Sequence, residues 1–125
     1  MAYPEDRNGE TARMKIADGV TVEKRDAVTI VGDSTIAPVE PGGDALGVVA
    51  KRPAAAPGVP GEAATVAFGG RRNAKMTDDT SAGDRVIGAG GGELGPVLEG
   101  EKPASPGFIC LRPPKDDGLG LVLLR

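Results

Sequence analysis

The distribution of apolar residues along the chain predicts many short strands. Aliphatic and β-branched residues occur in short groups, and Gly, Pro or Asp interrupts them every few positions. Alternating apolar and polar positions indicate strands with one buried face. No window keeps a helical apolar period, apart from one short helical turn expected over 76–82. We therefore expect an all-β fold, a small β-barrel-like or β-sandwich domain of short strands.

One turn-and-strand pattern recurs. An Asp in a turn precedes a few aliphatic residues at 25–32, 43–50 and 81–88, and the last window reads Ser81-Ala82-Gly83-Asp84-Arg85-Val86-Ile87-Gly88. Gly adopts positive φ without steric cost, and Asp bonds to nearby backbone amides, so the pair suits the turn before a strand. Val86 and Ile87 are predicted to be at least half buried.

The remaining strands are placed by the same patterns. They are expected at 14–16, 19–22, 27–31, 35–39, 45–52, 63–68, 73–76, 108–112 and 119–124. Residues 32–34 are predicted to join a hairpin, and 73–76 to pair back on 63–68. The Pro-rich segment 53–61 predicts an exposed loop. Residues 1–12 have little to bury and predict a flexible or extended N-terminal arm, ordered only where a partner holds it, followed by a single all-β domain over 13–125.

The composition predicts a thin core. The 125 residues suit one domain, with 20 Gly and 11 Pro, and the only aromatic residues are Tyr3, Phe68 and Phe108. Because aromatic side chains usually dominate core burial, we expect the chain to gain apolar burial from neighbouring subunits. No apolar run reaches the roughly 18 residues needed to span a bilayer, so no membrane partner is expected.

Charge and residue types argue against several functions. The net charge is −3, with both signs scattered, so a direct nucleic-acid contact is not expected. His is absent, which removes the usual general base and zinc ligand. The single Cys110 is predicted to pack as a small apolar residue. We therefore expect no enzyme, no cofactor and no metal site.

Three glycines and a serine turn resemble catalytic motifs only in part. Gly90, Gly92 and Gly95 fit G-x-G-x-x-G, but Pro96 follows where a dinucleotide site needs a helix N-terminus. The turn 32–34, Gly-Asp-Ser, is similar to a nucleophile turn but lacks a histidine base. We interpret both sets of residues as turn-forming residues without a catalytic role.

The charged clusters have two interpretations each. Arg71 and Arg72, near Lys75, are expected in a solvated turn, although arginines here could also pair with a partner surface. The acidic pairs 78–79 and 116–117 are expected to be solvated turn acids. Holding a divalent cation between subunits is the alternative, but their spacing is not that of a calcium loop.

Three segments, taken in their order along the chain, resemble those of a known protein family. The segments 19–22 (Gly-Val-Thr-Val), 45–50 (Ala-Leu-Gly-Val-Val-Ala) and 81–86 (Ser-Ala-Gly-Asp-Arg-Val) together resemble the capsid cement, or head decoration, proteins of tailed double-stranded DNA viruses. The resemblance covers roughly residues 14–125. The Pro-rich insertion at 53–61 departs from the plainest members of that group.

The resemblance implies a structural virion protein, made in the host cytoplasm and located on the outer surface of the capsid. Its implied partners are the major capsid protein and itself, as a homotrimer that clamps neighbouring capsomers after the shell expands. The candidate capsid-binding residues of the arm are Tyr3, Pro4 and Arg7.

The C-terminal strand is the candidate subunit interface. Its residues Leu121, Val122, Leu123 and Leu124 are apolar on both faces, with Leu121 and Leu123 on one side and the other two opposite. A barrel wall covers only its inner face, so a neighbouring subunit is expected to cover the outer one.

The alternative function is a small β-barrel accessory or carbohydrate-binding module. Such modules present aromatic platforms to sugar rings. The scarcity of aromatic residues argues against it.

Overall fold

The computed structural model describes residue 3 and residues 10–51, 63–97 and 108–124, the side chain of residue 51 excepted. This part of the chain is all-β, as predicted, and none of it forms a helix that could cross a membrane. The segment 76–82 forms turns instead of the expected helical turn. The strands are β1 (Thr11–Ile16), β2 (Ala27–Gly32), β3 (Thr35–Pro38), β4 (Gly47–Lys51), β5 (Ala63–Ala67), β6 (Gly70–Lys75), β7 (Arg85–Gly90), β8 (Glu93–Pro96), β9 (Phe108–Arg112) and β10 (Leu119–Leu124).

Strands β1–β5 form a closed barrel, in the order β1-β3-β2-β4-β5. Closure comes from β1, which pairs in parallel with β3 and antiparallel with β5. The predicted hairpin of β2 and β3 is confirmed, with Ile30 opposite Ile36. The barrel interior holds Met14, Ile16, Val22, Val28, Ile36, Val49, Ala64 and Val66.

Strands β6–β10 form a second sheet with the same connectivity. Its order is β6-β10-β9-β7-β8. The closed barrel, read around in the other direction from β1, has the order β1-β5-β4-β2-β3, which is the same order with β1 to β5 in place of β6 to β10. The edge strands β6 and β8 of the second sheet touch at one parallel bridge between Met76 and Leu94. The bridge corresponds to the pairing of Ile16 with Ile36 in the barrel. The β-bulges correspond as well, because one extra residue interrupts β4 after Val49 and β9 after Cys110. The two halves are therefore two versions of one fold.

The sequence retains a trace of this repeat. When 26–39 is placed on 84–97, five of the fourteen positions are identical, namely Asp26 and Asp84, Val28 and Val86, Gly32 and Gly90, Pro38 and Pro96, and Val39 and Val97. Two of the three Asp turns noted in the sequence thus mark equivalent positions, and the turn at 43–50 does not.

Interior residues of the two halves match in position and differ in size. Ile16 and Ala64 in the barrel correspond to Met76 and Gly120 in the second sheet. A Cβ atom on Gly120 would lie 2.5 Å from the Met76 Sδ, so the larger Met76 requires the glycine.

Val86 and Ile87 are 2% and 3% exposed, which confirms their predicted burial.

Two strand predictions are wrong. Residues 19–22 form no strand, because Gly19 has φ +79° and the Val20 amide donates to the Ala17 carbonyl in a turn. The strand predicted at 73–76 belongs to β6, which pairs with β10. It cannot pair with β5, since β1 and β4 occupy both edges of that strand.

Candidate functional site

The two halves meet where a turn of the barrel enters the second sheet. In the barrel, the Lys15 N–H donates to the Ser34 carbonyl at 2.8 Å and helps to close β1 on β3. At the equivalent place in the second sheet, the Lys75 N–H donates to the Arg25 carbonyl at 3.1 Å, and the Ala27 N–H donates to the Gly92 carbonyl at 2.8 Å. The turn 23–27, which we call the docking turn, therefore lies between β6 and β8 and completes the second sheet.

Charged side chains hold the docking turn in place. The Lys75 Nζ lies 2.7 Å from the Asp26 Oδ1 and 3.0 Å from the Glu23 Oε2. The Asp26 side chain is only 5% exposed, and its Oδ2 also accepts the Glu23 N–H at 2.8 Å. Burial alone would lower the pKa of Lys75, but its hydrogen bonds to Asp26 and Glu23 outweigh burial and raise the pKa above 10.5. The ammonium group is therefore charged at neutral pH.

Backbone contacts extend the junction along β7. The Gly42 N–H donates to the Gly88 carbonyl at 2.8 Å, and the Gly88 N–H donates to the Gly43 carbonyl at 2.7 Å. A Cβ atom on Gly88 would lie 2.2 Å from the Glu40 carbonyl oxygen, so the β3–β4 loop can approach only a glycine. The barrel has Ile30 at the equivalent position, where it is 47% exposed.

Tyr3 is anchored on the second sheet. Its N–H donates to the Asn73 Oδ1 at 2.9 Å, and the Asn73 Nδ2 donates to the Tyr3 carbonyl at 2.7 Å. The Tyr3 hydroxyl donates to the Pro113 carbonyl at 2.8 Å, and the Lys115 Nζ lies 3.9 Å from the ring centroid. Of the predicted arm residues, Tyr3 is thus fixed to the chain itself, whereas Pro4 and Arg7 lie outside the described residues.

The C-terminal strand is mostly covered by its own chain. Leu121, Val122 and Leu124 are buried, and Leu123 is half buried. Val122 and Leu124 belong to the apolar cluster that fills the second sheet and reaches the outer face of the barrel. Their burial therefore does not need the neighbouring subunit that the pattern suggested. A subunit interface through these four residues stays a prediction, and Leu123 is the most accessible of them.

The arginine pair is only half as expected. Arg71 is exposed, but Arg72 lies in β6 and is 4% exposed, so the predicted solvated turn is wrong. Strand alternation places Arg72 on the same face as the buried Ala74. Within the described part of the chain its Nε has no hydrogen-bond partner.

The acidic pairs lie in turns. The Thr77 hydroxyl donates to the Asp79 carboxylate. The Leu119 N–H donates to the Asp117 Oδ1 at 3.0 Å and lowers the pKa of that carboxyl. Among the described residues, no group of three or more His, Cys, Asp or Glu side chains could hold a metal ion. The glycines at 90–92 belong to the β7–β8 hairpin, which leads into a strand and not a helix.

Cys110 is buried inside the second sheet, as predicted. Its Sγ lies 3.8 Å from the Met76 Sδ and 3.2 Å from the Arg112 carbonyl oxygen. Burial and the nearby Asp84 charge raise the pKa of the thiol above 9.0. It therefore remains a protonated packing group at neutral pH.

Comparison with known proteins adds no relative. No protein-family model matches the chain, and none of the curated proteins matches it.

The junction between the halves was not foreseen from the sequence. The available signal was the repeated Asp turn, which gives no indication that one copy docks and the other stays exposed.

Proposed function

We propose that the protein is a structural virion protein that binds the outer surface of a viral capsid and stabilises contacts between capsomers of the major capsid protein. Two features support the proposal. One is the order of the three segments that resembles capsid cement proteins. The other is an exposed apolar surface on the barrel.

That surface, the β2 patch, consists of Ile30, Val31 and Leu46. These are the large apolar side chains most exposed within the described residues, at 47%, 56% and 44%. Leu46 lies on the adjacent chain segment, where its N–H bonds to the Val28 carbonyl. A cavity of about 200 Å³ lies beside Val31 and is bordered by Pro38 and Glu40. Large apolar side chains exposed on one strand and on the segment beside it favour a protein-binding surface. It is the observation that carries the proposal.

In the proposed complex, the β2 patch and the N-terminal arm contact the major capsid protein. Tyr3 is fixed on β6, and Pro4 and Arg7 stay the candidate capsid-binding residues of the arm. Binding to the expanded shell in preference to the unexpanded one stabilises the expanded state by mass action. A homotrimer multiplies each modest contact by avidity.

The carbohydrate-binding alternative lacks an aromatic platform in the described residues. Phe108 is 3% exposed, Phe68 packs against the barrel core, and Lys115 covers the ring of Tyr3. A sugar ring would need one of these faces to be open. The apolar β2 patch favours a protein partner instead.

The proposal is tested by co-sedimentation of the purified protein with expanded and unexpanded capsids of the virus that encodes it. We expect retention on expanded capsids, and we expect Val31→Asp to reduce it because a charge would be desolvated in the contact. Thr21→Asp, at an exposed position away from β2, is the matched control and should bind as the wild type does. Failure of the wild type to sediment with either form of capsid would contradict the proposal.

A further inference from the structure

The second sheet carries a turn with the same conformation as the docking turn. Ser81–Arg85 corresponds to Glu23–Ala27. In both turns an Asp Oδ2 accepts an amide three residues before it at 2.8 Å, from Ser81 to Asp84 and from Glu23 to Asp26. The residue before each Asp has positive φ, 91° at Gly83 and 79° at Arg25. The docking turn is inserted in the other half of the chain, whereas the 81–85 turn is largely exposed.

The barrel carries the corresponding acceptor. The docking turn separates Lys75 from Gly92, and the equivalent residues in the barrel are Lys15 and Ser34. These two are joined by one backbone hydrogen bond of 2.8 Å. Insertion of a turn there would break that bond and form two, from the Lys15 N–H to a Gly83 carbonyl and from an Arg85 N–H to the Ser34 carbonyl. The second sheet already shows this pattern at Lys75, Ala27 and Gly92.

The charges needed for the contact are repeated too. The Lys75 ammonium forms an ion pair with the Asp26 carboxylate across the junction at 2.7 Å. Their equivalents are Lys15, which is exposed, and Asp84, which lies in the exposed turn. The barrel therefore carries the lysine of such a contact and the exposed turn carries the aspartate, but the fold of one chain does not bring the two together.

The row of side chains that the barrel buries against the second sheet also has an equivalent, which is more exposed. On the outer face of the barrel, the neighbouring residues Ala27, Val48 and Ala67 are buried in the cluster shared with the second sheet. The corresponding row on the second sheet is Arg85, Ile109 and Leu123, which is exposed at Arg85 and half buried at the other two.

We propose that the protein associates with a second copy of itself head to tail, with the Ser81–Arg85 turn of one copy docked between β1 and β3 of the next and Asp84 paired with Lys15. Such a contact joins two different surfaces, so it produces rings when the rotation closes and chains when it does not. One contact inside the chain is not repeated. Ile30 replaces Gly88, so the interface is limited to the turn and the Arg85 row.

The first readout is sedimentation velocity over a wide concentration range. We expect the wild type to form a concentration-dependent oligomer, and Lys15→Glu to raise its dissociation constant by about tenfold or more, since close charge pairs at interfaces are strongly coupled. Asp84→Asn keeps an oxygen for the turn bond and should weaken association in the same direction. Arg112→Glu makes the same charge change at an exposed position outside the interface and should associate as the wild type does.

The second readout needs no variant. Carbodiimide links a lysine amine directly to a carboxylate that touches it. In a mixture of isotopically light and heavy wild-type chains, we expect a Lys15–Asp84 cross-link between light and heavy peptides. Both readouts are required. A wild type that stays monomeric, an oligomer unaffected by Lys15→Glu, or an oligomer without the mixed Lys15–Asp84 cross-link would each overturn the proposal.

Discussion

The barrel and the second sheet share strand order, register and bulges, yet they close in different ways. In the barrel, the Lys15 amide bonds directly to Ser34, the residue just before β3. In the second sheet, the Lys75 amide bonds to Arg25 of the barrel, and within the described part of the chain one bridge joins the sheet edges. The same five-strand pattern is thus complete by itself in one case and completed by its neighbour in the other.

The residues at the junction explain the difference. The second sheet has Gly88 and Gly92 where the barrel has Ile30 and Ser34, and both glycines lie against barrel atoms that a Cβ would meet below 3 Å. Small residues therefore let one half receive the other. Repeated units can therefore diverge through a few close-approach positions while their internal pairing stays constant.

The largest effect is expected from a charge inside the dependent half. Val86 is 2% exposed, so Val86→Asp should destabilise the protein by about 4 kcal/mol or more, because an unpaired carboxylate would be buried. Thermal unfolding followed by circular dichroism measures this. Val31→Asp, at a 56% exposed site, is the control and should stay within about 0.5 kcal/mol of the wild type. Equal stability of the two variants would show that Val86 is not in a core.

The two equivalent lysines should differ sharply. Lys75→Ala leaves the buried Asp26 carboxylate without its partner and should cost about 1–3 kcal/mol, a range reduced for the 31% exposure of the lysine side chain. Lys15→Ala removes the exposed equivalent and should cost less than about 0.5 kcal/mol in the monomer. Urea unfolding at low protein concentration compares them. Similar losses in both would contradict the asymmetry of the halves.

The Lys75 contribution should also depend on pH. Its pKa is raised in the folded state above 10.5, so the stabilisation is fully present below about pH 10.5 and is lost as the pH rises through the folded pKa. The stability difference between the wild type and Lys75→Met should therefore be constant near neutrality and shrink at more alkaline pH. A difference that grew above pH 10.5 would mean that the sign of the shift is wrong.

The smallest effect is expected where the two interiors are interchangeable. Cys110 corresponds to Val49, and both are fully buried, so Cys110→Val should change stability by less than about 1.5 kcal/mol. A thiol reagent should modify native Cys110 only as fast as the sheet opens, since the buried thiol is out of the reagent's reach in the closed sheet. Rapid modification of the native protein would place Cys110 at the surface.

The sequence predicted the strands better than their partners. Short groups of aliphatic and β-branched residues identified β2, β3, β9 and β10, and the short turn at 32–34 identified a hairpin. The parallel pairing of β1 with β3 and the pairing of β6 with β10 are long-range, and no local pattern encodes them. The strand predicted at 19–22 failed because a positive φ at Gly19 is a tertiary outcome that glycine permits and does not require.

The candidate sites were predicted less well. The apolar C-terminal strand was identified correctly as buried, but the pattern could not show that Val122 and Leu124 are covered within the chain. The Asp turns at 25–32 and 81–88 were recognised as similar. Which of them docks depends on Gly88 and Gly92, and those residues resemble ordinary turn glycines until the barrel lies against them.

Amide hydrogen exchange of the full chain tests the central claim most directly, namely that the barrel completes the second sheet. The Ala27 N–H and the Lys75 N–H form the two backbone hydrogen bonds that hold the docking turn at β6 and at Gly92. We predict that both amides exchange as slowly as those of the buried strand residues Val86 and Val122. Exchange of Ala27 and Lys75 at the rate of exposed turn amides such as Ser34, with Val86 and Val122 still protected, would contradict the account.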